Sequence, residues 1–327
     1  MFLVTGGAGF IGSQIAAELE QQGEEVIILD WLGHEYKWRN IAKRVPVDIR
    51  PPEDLDTVLA TYGPALKGVI HMGAISATTE RDGDLIVRSN FRLSCDLWTW
   101  CAHHDVPFVY ASSAATYGDG HLGFADDDDL VSMSKLRPLN AYGWSKWVFD
   151  CWARKQVDAG KAQPPRWAGL KFFNVYGPNE QHKGSMRSVA IQVFEQVRET
   201  GAMRLFASDH PDYEDGGQLR DFVWVEDCAR IAHWCATGLQ QSGIYNVGSG
   251  TARSFKDLTE AVFHAMGHTP QISYFDMPEH LKGQYQYFTQ ARMDRLRDVG
   301  CPVQMTPLEQ GVDRYVRDFL STPDGFR

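Results

Sequence analysis

The chain has 327 residues, of which 43% are hydrophobic and 23% are charged, and its formal net charge is -10. This length can bury a sizeable core in one large or two smaller domains. The negative charge argues against nucleic acid as a partner, because phosphate binding needs a basic surface. No apolar run approaches the roughly 20 residues that cross a bilayer, and Met1 leads straight into an apolar run without a secretory leader. We therefore expect no membrane partner and a location in the cytoplasm.

Metal binding is not expected from the sequence. The six cysteines form no CxxC pair and have no zinc-like spacing, which indicates buried free thiols in a reducing compartment. The acidic run Asp126–Asp129 is expected to be a solvated surface, since adjacent acids rarely converge on one ion.

Strand and helix signals alternate through the first half of the chain. Short apolar runs predict strands at Met1–Val4, Val26–Leu29, Gly68–His71 and Phe108–Ala111. Helical patterns lie between them, at Ser13–Gln22, Pro52–Tyr62 and Asn90–His103. This alternation predicts an α/β fold with a doubly wound parallel sheet of the Rossmann type.

The second half of the chain is less regular. Helical patterns occur at Ser188–Glu199, Val225–Thr237 and Ser254–Met266, with turn-rich pieces between them. We predict a dinucleotide-binding domain over residues 1–173 and a smaller substrate-binding lobe over residues 174–327. Part of the second segment is expected to cross back to the first domain.

The turn TGGAGFIG, at residues 5–12, lies between the first predicted strand and the first predicted helix. Gly6 allows a tight turn, Gly9 lets the backbone approach phosphates, and Gly12 lets the helix pack close to the strand. The free N–H groups of the helix start then face an anion. Asp30 ends the second predicted strand, where a carboxylate that binds ribose is expected. These features predict a dinucleotide site.

Tyr142 and Lys146 have YxxxK spacing, which places them on one face of a helix. A nearby ammonium lowers the pKa of a phenol from about 10, so such a tyrosine can take a proton from an alcohol as hydride leaves its carbon. Ser113 follows a predicted strand at the edge of the sheet where ligands bind. We predict Tyr142 as an acid/base, with Ser113 as its hydrogen-bond partner and proton relay.

Four motifs together resemble the extended short-chain dehydrogenase/reductase family of nucleotide-sugar enzymes, over nearly the whole chain. They are TGGAGFIG, YxxxK, SSAATYG at residues 112–118 and FNVYGP at residues 173–178. Three further stretches are similar to the branch of this family that inverts carbon 6 of an ADP-linked heptose: HMGAISATTE at 71–80, HKGSM at 182–186 and LKGQYQYFTQ at 281–290.

This resemblance implies an isomerase that acts on ADP-glycero-manno-heptose, a precursor of the lipopolysaccharide core. Carbon 6 would be oxidised to a ketone by a tightly bound nicotinamide cofactor, and hydride would return to the other face. The two orientations of the ketone need two acid/bases, which the resemblance assigns to Tyr142 and Lys183. It assigns Lys146 to the cofactor ribose and to tuning of Tyr142. A homo-oligomer is also expected.

The same resemblance assigns the binding residues. Besides Gly6, Gly9 and Gly12, the cofactor would contact Phe10, Ile11, Asp30, Trp31, Lys37, Met72, Gly73, Ala74, Ile75, Ser76, Asn90, Tyr142, Lys146, Val175 and Lys183. The nucleotide-sugar would contact Asn174, Ser185, Gln192, Phe206, Ala207, Ser208, Asp209, Arg220 and Tyr285. Two interpretations of Arg220 remain open: its guanidinium binds the diphosphate in a bidentate way, or it forms a structural salt bridge, for example to Asp221.

Three departures from the family pattern concern the substrate and the cofactor. Trp31 stands where asparagine is common, Gln192 replaces a histidine, and the loop at 208–219 is longer and acidic. Asp30 should favour NAD, because a carboxylate binds two ribose hydroxyls and repels a 2′-phosphate. The heptose epimerases nevertheless use NADP with an acid there, aided by lysines. We therefore favour NADP, with NAD as the alternative. Compensating charge would come from Lys37, Arg39, Lys43 and Arg44, although a second lysine of the pattern, near Pro52, is missing.

Two alternatives remain open. One is another nucleotide-sugar epimerase or reductase of the same family, acting on a UDP- or GDP-sugar. Dehydratases need an acid pair where this chain has Ala114 and Ala115, which argues against elimination. The other alternative is a non-catalytic sensor of nucleotide redox state, although such modules tend to lose the tyrosine or lysine that this chain keeps.

Overall fold

The computed structural model describes residues 1–33, 36–278 and 286–327. The strands are, in chain order, β1 (Phe2–Thr5), β2 (Val26–Leu29), β3 (Asp48–Arg50), β4 (Gly68–His71), β5 (Phe108–Ser113), β6 (Trp167–Phe172), β7 (Asn174–Tyr176), β8 (Met203–Phe206), β9 (Leu219–Trp224), β10 (Gly243–Val247), β11 (Ala252–Ser254) and β12 (Ile272–Phe275). The α-helices are α1 (Phe10–Gln21), α2 (Leu55–Tyr62), α3 (Gly83–Ile86), α4 (Leu93–His103), α5 (Leu130–Met133), α6 (Ala141–Asp158), α7 (Val189–Thr200), α8 (Val225–Thr237), α9 (Phe255–Ala265), α10 (Asp294–Asp298) and α11 (Leu308–Arg314).

The largest sheet has seven parallel strands in the order β10-β6-β5-β4-β1-β2-β3. Every residue of β1, β2 and β4 is buried. Parallel strands that are covered on both faces read as continuous apolar runs, which is why these strands could be found in the sequence. The predicted doubly wound parallel sheet is confirmed.

Helices cover both faces of this sheet. Side chains alternate along a strand, so Leu3 and Ile27 enter one core and Val4 and Ile28 the other. The core around Leu3 is closed by α2, α4 and α6, whereas α1 and α8 close the opposite one. This arrangement leaves the carboxyl ends of the strands as the edge where loops can form a site.

The second half forms a smaller layer and also extends the large sheet. The strands β7, β9 and β11 form a three-stranded sheet, and β8 pairs with β12. Helices α7, α9 and α11 pack with them around the buried side chains of Trp224 and Phe263. By contrast, β10 pairs with β6 at the edge of the large sheet. The division of the chain at residue 173 stays a prediction, as do the cytoplasmic location and the homo-oligomer.

Asp126 and Asp128 differ from the expectation of a solvated surface for the run Asp126–Asp129, whereas Asp127 and Asp129 are exposed. The Asp126 side chain is buried and accepts a hydrogen bond from the Asn246 backbone N–H at 2.8 Å. Asp128 pairs with Arg295 at 3.0 Å. The run therefore anchors a loop to β10. In the described ranges, no group of three His, Cys, Asp or Glu side chains could hold a metal, and no helix is long and apolar enough to span a membrane.

Candidate active site

A cleft of about 680 Å³ lies at the carboxyl ends of β1, β4, β5 and β6. The predicted site residues that line it are Gly6, Gly9, Phe10, Ile11, Gly12, Asp30, Lys37, Met72, Gly73, Ala74, Ile75, Ser76, Ser113, Tyr142, Lys146, Asn174, Val175 and Lys183. Residues that are far apart in the chain thus meet around one space.

The glycine turn joins β1 to α1 with almost no free volume. Gly6 has a φ of 64°, and a Cβ there would lie 2.6 Å from the Gly73 nitrogen. A Cβ on Gly12 would overlap the Gly6 carbonyl oxygen. The helix start at Gly9 has no side-chain cap and no acidic residue in its first turn. Its N–H groups can therefore bind an anion such as a diphosphate.

Asp30 lies at the end of β2 and is bound on both carboxylate oxygens. It accepts the Ala8 backbone N–H at 3.0 Å and the Lys37 ammonium at 2.6 Å. Lys37 also donates to the Trp31 carbonyl at 2.6 Å. The Trp31 side chain lies outside the cleft lining, is 41% exposed and donates to the Glu53 carboxylate at 2.9 Å.

The other basic residues named for this region have different partners. The Arg39 guanidinium lies over the Phe326 ring at 5.3 Å. Lys43 pairs with Asp324 at 2.9 Å, and Arg44 pairs with Glu20 at 3.1 Å. Of the four, Lys37 is the one that contacts Asp30.

Asn90 holds the loop after β4 in place and lies outside the cleft lining. Its side chain accepts the Ile75 N–H at 2.8 Å and donates to the Ile75 carbonyl at 3.0 Å. It also donates to the Ser145 hydroxyl at 3.0 Å and is fully buried. Asn90 thereby fixes the cleft-lining loop of residues 72–76 against α6.

Tyr142 and Lys146 project from the start of α6 into the cleft, where Ser113 also lies. Burial raises the pKa of Tyr142, and a hydrogen bond from Ser113 opposes this rise. Burial lowers the pKa of Lys146 to about 8, against the opposite effect of Asp150. The pKa of Tyr142 is therefore raised, against the expectation that Lys146 lowers it, and the group that opposes the effect of burial is Ser113.

Lys183 reaches the cleft from the opposite side, on the 3-10 turn Gln181–Met186 that follows β7. Its ammonium lies 5.2 Å from the centroid of the Phe10 ring. Burial lowers the pKa of Lys183, and Glu180 raises it. The two predicted acid/bases, Tyr142 and Lys183, thus line the same space from two different elements.

Most of the predicted substrate residues lie outside this lining: Ser185, Gln192, Phe206, Ala207, Ser208, Asp209 and Arg220. Gln192 donates to the Arg187 carbonyl at 2.9 Å. Arg220 lies in β9, with its guanidinium over the Phe255 ring at 5.5 Å and a hydrogen bond to the Leu219 carbonyl at 2.8 Å. Tyr285 lies outside the described residues.

The sequence analysis assigned no binding or catalytic role to twelve of the lining residues: Ala77, Thr78, Ala111, Ser112, Ala114, Ala115, Phe172, Phe173, His182, Met186, Gln286 and Thr289. Ten of them lie within the motifs and stretches that carry the family resemblance, which were the available signal, and the other two, Ala111 and Phe172, belong to β5 and β6. Gln286 and Thr289 come from a distant segment without a strand or helix signal. Burial lowers the pKa of His182 to about 4, with Lys37 and Lys183 acting in the same direction, so this ring is neutral at pH 7.

Comparisons with known proteins agree with this geometry. Residues 2–248 match the model of the NAD dependent epimerase/dehydratase family. An ADP-L-glycero-D-manno-heptose-6-epimerase of Nitratidesulfovibrio vulgaris (strain DP4) is 50% identical over 329 residues, and the match covers 100% of both chains. The crystal structure of the Helicobacter pylori ADP-L-glycero-D-manno-heptose-6-epimerase is 26% identical with a TM-score of 0.79, over 97% of this chain and 95% of that one. A Thermus thermophilus UDP-glucose 4-epimerase in complex with NAD is 26% identical with a TM-score of 0.73, over 95% and 96%.

The cleft also fits the nicotinamide dinucleotide on which this family depends. Its glycine turn leaves no room for side chains at Gly6 and Gly12, and the start of α1 offers uncapped N–H groups to a diphosphate. Asp30 follows β2, the position from which an acid of this fold class can bind a ribose, and Lys37 is paired with it in the cleft lining. Fold, cleft and full-length similarity lead to one conclusion: the chain belongs to the NAD dependent epimerase/dehydratase family.

Proposed function

We propose that this chain inverts carbon 6 of an ADP-linked heptose through a transient 6-keto intermediate. The observation that carries the proposal is that Tyr142, on α6, and Lys183, on the turn after β7, line one cleft together with the glycine turn. The relative from Nitratidesulfovibrio vulgaris, which is 50% identical, bears the name of this activity. An ordinary dehydrogenase needs one acid/base, whereas a ketone that is reduced on its other face needs a donor at each orientation.

A bound nicotinamide would supply the acceptor of hydride from carbon 6 and the donor that returns it. In our proposal the cofactor contacts the glycine turn, Asp30, Lys37 and the loop of residues 72–76. Trp31 borders the adenine side, and Asn90 acts by holding the loop. Lys146, which lines the same cleft one helical turn after Tyr142, would hold the nicotinamide ribose, the role that the family resemblance assigns to it.

Proton transfer falls to Tyr142 and Lys183. When one epimer is oxidised, Tyr142 takes the proton of the 6-hydroxyl, and Ser113 hydrogen-bonds to the same oxygen. The new ketone turns about its bond to the sugar ring, so that its oxygen faces Lys183. Lys183 then donates a proton as hydride returns, which gives the other epimer. In the reverse direction the two residues exchange roles, as microscopic reversibility requires.

We propose that the nucleotide of the substrate binds beyond the cleft, along β8, β9 and α7. Asn174 lines the cleft and would contact the sugar, while Arg220 would bind the diphosphate through its planar guanidinium. Ser185, Gln192 and residues 206–209 border this path, and Tyr285 is assigned to it by the resemblance alone.

NADP is our proposal for the cofactor, retained between turnovers. Lys37 supports it, because its ammonium neutralises the Asp30 carboxylate that would otherwise repel a 2′-phosphate. A specific observation favours the alternative, NAD: the Glu53 carboxylate binds the Trp31 indole and adds negative charge beside this position.

The cofactor proposal can be tested by binding. Cofactor released from the purified, denatured protein should be NADP. In cofactor-stripped protein, Glu53→Lys should raise the affinity for NADP relative to NAD about fivefold, as expected for one exposed charge. Glu25→Gln, an exposed acid at the other end of β2, should leave that ratio unchanged. Release of NAD, with no change of the ratio in the Glu53 variant, would contradict the proposal.

The function can be tested by incubating the purified protein with ADP-D-glycero-D-manno-heptose without added cofactor. NMR should show the formation of the carbon 6 epimer. UDP- and GDP-sugars, tested in parallel, should not react. Conversion of one of these instead would favour another nucleotide-sugar epimerase, the alternative that remains open from the sequence.

A further inference from the structure

Glu180 is a fully buried carboxylate at the base of the turn that carries Lys183. It accepts hydrogen bonds from the Ser188 backbone N–H, from the Ser188 hydroxyl at 2.6 Å and from the Tyr315 hydroxyl at 2.9 Å. The Gly177 N–H also points to it, at 3.5 Å. Its partners thus come from the end of β7, from the residue before α7 and from the π-helical segment Tyr315–Leu320 that continues α11.

The backbone N–H groups of Ser188 and Gly177 can only donate, and they reach the two different carboxylate oxygens, while the two hydroxyls donate as well. An ionised carboxylate accepts on both oxygens, whereas a protonated acid or an amide must also donate. Burial raises the pKa of Glu180, and the bonds from Ser188, the charge of Lys183 and the bond from Tyr315 oppose this rise. The donor set therefore favours the charged form of Glu180.

These contacts fix both ends of the segment that bears the amine. Gly177 and Ser188 bracket residues 178–187, and both bind the Glu180 side chain. Inside the segment, the Lys183 N–H donates to the Glu180 carbonyl at 3.0 Å. Breaking the carboxylate contacts would free the turn to shift its lysine relative to Phe10 and the cleft.

Charged and titratable groups lie on several sides of the turn that carries Glu180 and Lys183. Lys37 and the neutral His182 lie on the cleft side, and Lys37 is paired with Asp30. Arg187 and Glu195 form a pair on the α7 side, at 2.6 Å. The Phe10 ring on α1 and the Tyr315 hydroxyl complete the surroundings. Among these groups, Glu180 is the one whose charge favours the protonated form of Lys183.

We propose that Glu180 is the positioning residue of Lys183. Bound to Ser188 and Tyr315, it holds the turn so that the amine faces the reacting oxygen, and its charge keeps that amine protonated when it acts as an acid. This inference rests on the proposed function, in which Lys183 serves one of the two epimers. Glu180 therefore acts wherever Lys183 transfers a proton: as an acid when the ketone is reduced to one epimer, and as a base when that same epimer is oxidised.

The test measures reduction of the bound cofactor by each epimer separately, in single turnovers at the pH plateau of the rate. Lys183→Met should slow this reduction with one epimer and spare it with the other. Glu180→Gln should slow the same epimer at least about tenfold and leave the other within about threefold. Because the reaction of that epimer needs the neutral amine, its rate rises as the pH increases through the pKa of Lys183. Loss of the Glu180 charge should move this rise to lower pH.

Two further variants separate positioning from general damage. Asp126→Asn removes another buried carboxylate, which accepts from Asn246, and should slow both epimers alike or neither. Tyr315→Phe keeps the Glu180 charge but removes one donor, and it should slow the same epimer as Lys183→Met without moving the pH profile. If Glu180→Gln does not fold, the selective slowing of one epimer by Tyr315→Phe serves as the test.

The outcomes distinguish this inference from the proposed function. Equal slowing of both epimers by Lys183→Met, or no slowing of either, would overturn the two-base proposal. Selective slowing by Lys183→Met, with neither selectivity nor a pH shift in Glu180→Gln and no selectivity in Tyr315→Phe, would overturn the role of Glu180 alone.

Discussion

In the proposed mechanism, Tyr142 loses a proton in a cleft where burial opposes that loss. Burial raises the pKa of its phenol. A nearby positive charge would counteract this rise, because it stabilises the phenolate. Lys146 can supply such a charge only while it is protonated. Burial lowers its pKa to about 8, so the ammonium prevails at neutral pH and disappears as the pH rises through that value.

We therefore predict that turnover falls as the pH rises above about 8, the pKa of Lys146. Lys146→Arg keeps its charge to higher pH and should move this descending limb upward, whereas Lys146→Met should lower turnover about a hundredfold. The measurement is kcat/KM against pH for the three proteins. An unchanged alkaline limb in the arginine variant would show that Lys146 is not the titrating group.

At the residue scale, sequence could predict which side chains meet but not how their surroundings change them. The YxxxK spacing and the glycine turn predicted residues that all line the cleft. The pKa of Tyr142 shifts upward because the phenol is buried, and the YxxxK spacing does not reveal that burial. Glu180 stands three positions before Lys183, yet its partner Tyr315 is 135 positions away, and no local pattern joins them.

The helix α6 carries Tyr142 in its first turn, so the cap of this helix bears on catalysis. The Asn140 side chain accepts the Gly143 N–H at 2.8 Å. Removing such a cap typically costs about 1 kcal/mol, because a backbone donor at the helix start loses its partner. Fraying at this end would also displace the phenol.

Asn140→Ala should lower the free energy of unfolding by about 1 kcal/mol and reduce turnover. Ser254→Ala is the matched control, since Ser254 caps α9 and lies outside the cleft lining. It should have a similar effect on stability without lowering turnover. Urea unfolding and initial rates measure the two effects. Equal turnover in the Asn140→Ala and Ser254→Ala variants would contradict the claim that the cap of α6 contributes to catalysis.

At the element scale, the apolar runs predicted four of the seven parallel strands, namely β1, β2, β4 and β5, and two of the other three, β3 and β6, were missed for physical reasons. The strand β3 has three residues, lies at the sheet edge and is partly exposed, so it lacks an apolar run. The strand β6 is fully buried but contains Lys171, a residue typical of surfaces. Lys171 forms an ion pair with Asp150 on α6, and no local sequence pattern indicates this tertiary contact.

Across the whole molecule, the pair of Asp150 and Lys171 joins elements on which the site depends. The ammonium lies 2.7 Å from the carboxylate, and both side chains are almost fully buried. Asp150 also accepts the hydroxyls of Tyr110 and Ser112 from β5, at 2.9 and 2.7 Å. Lys171 donates to the Thr116 hydroxyl at 2.7 Å. The pair thus binds β5, β6 and α6 together beneath the cleft.

Asp150→Asn or Lys171→Met alone should destabilise the protein by about 3 kcal/mol or more, because each leaves a buried charge without its partner. The double variant should recover much of this loss, since neither charge then remains. A double-mutant cycle by urea unfolding measures the coupling. Additive losses would mean that the two charges do not depend on each other.

The account depends most on hydride leaving carbon 6 and returning to it within the same cleft. The measurement that tests this directly is epimerisation of ADP-D-glycero-D-manno-heptose in D₂O, followed by NMR and without added cofactor. We predict that both carbon 6 epimers appear and that carbon 6 keeps its protium, because the hydrogen travels by way of the bound cofactor. Deuterium at carbon 6, or no epimer at all, would contradict the account.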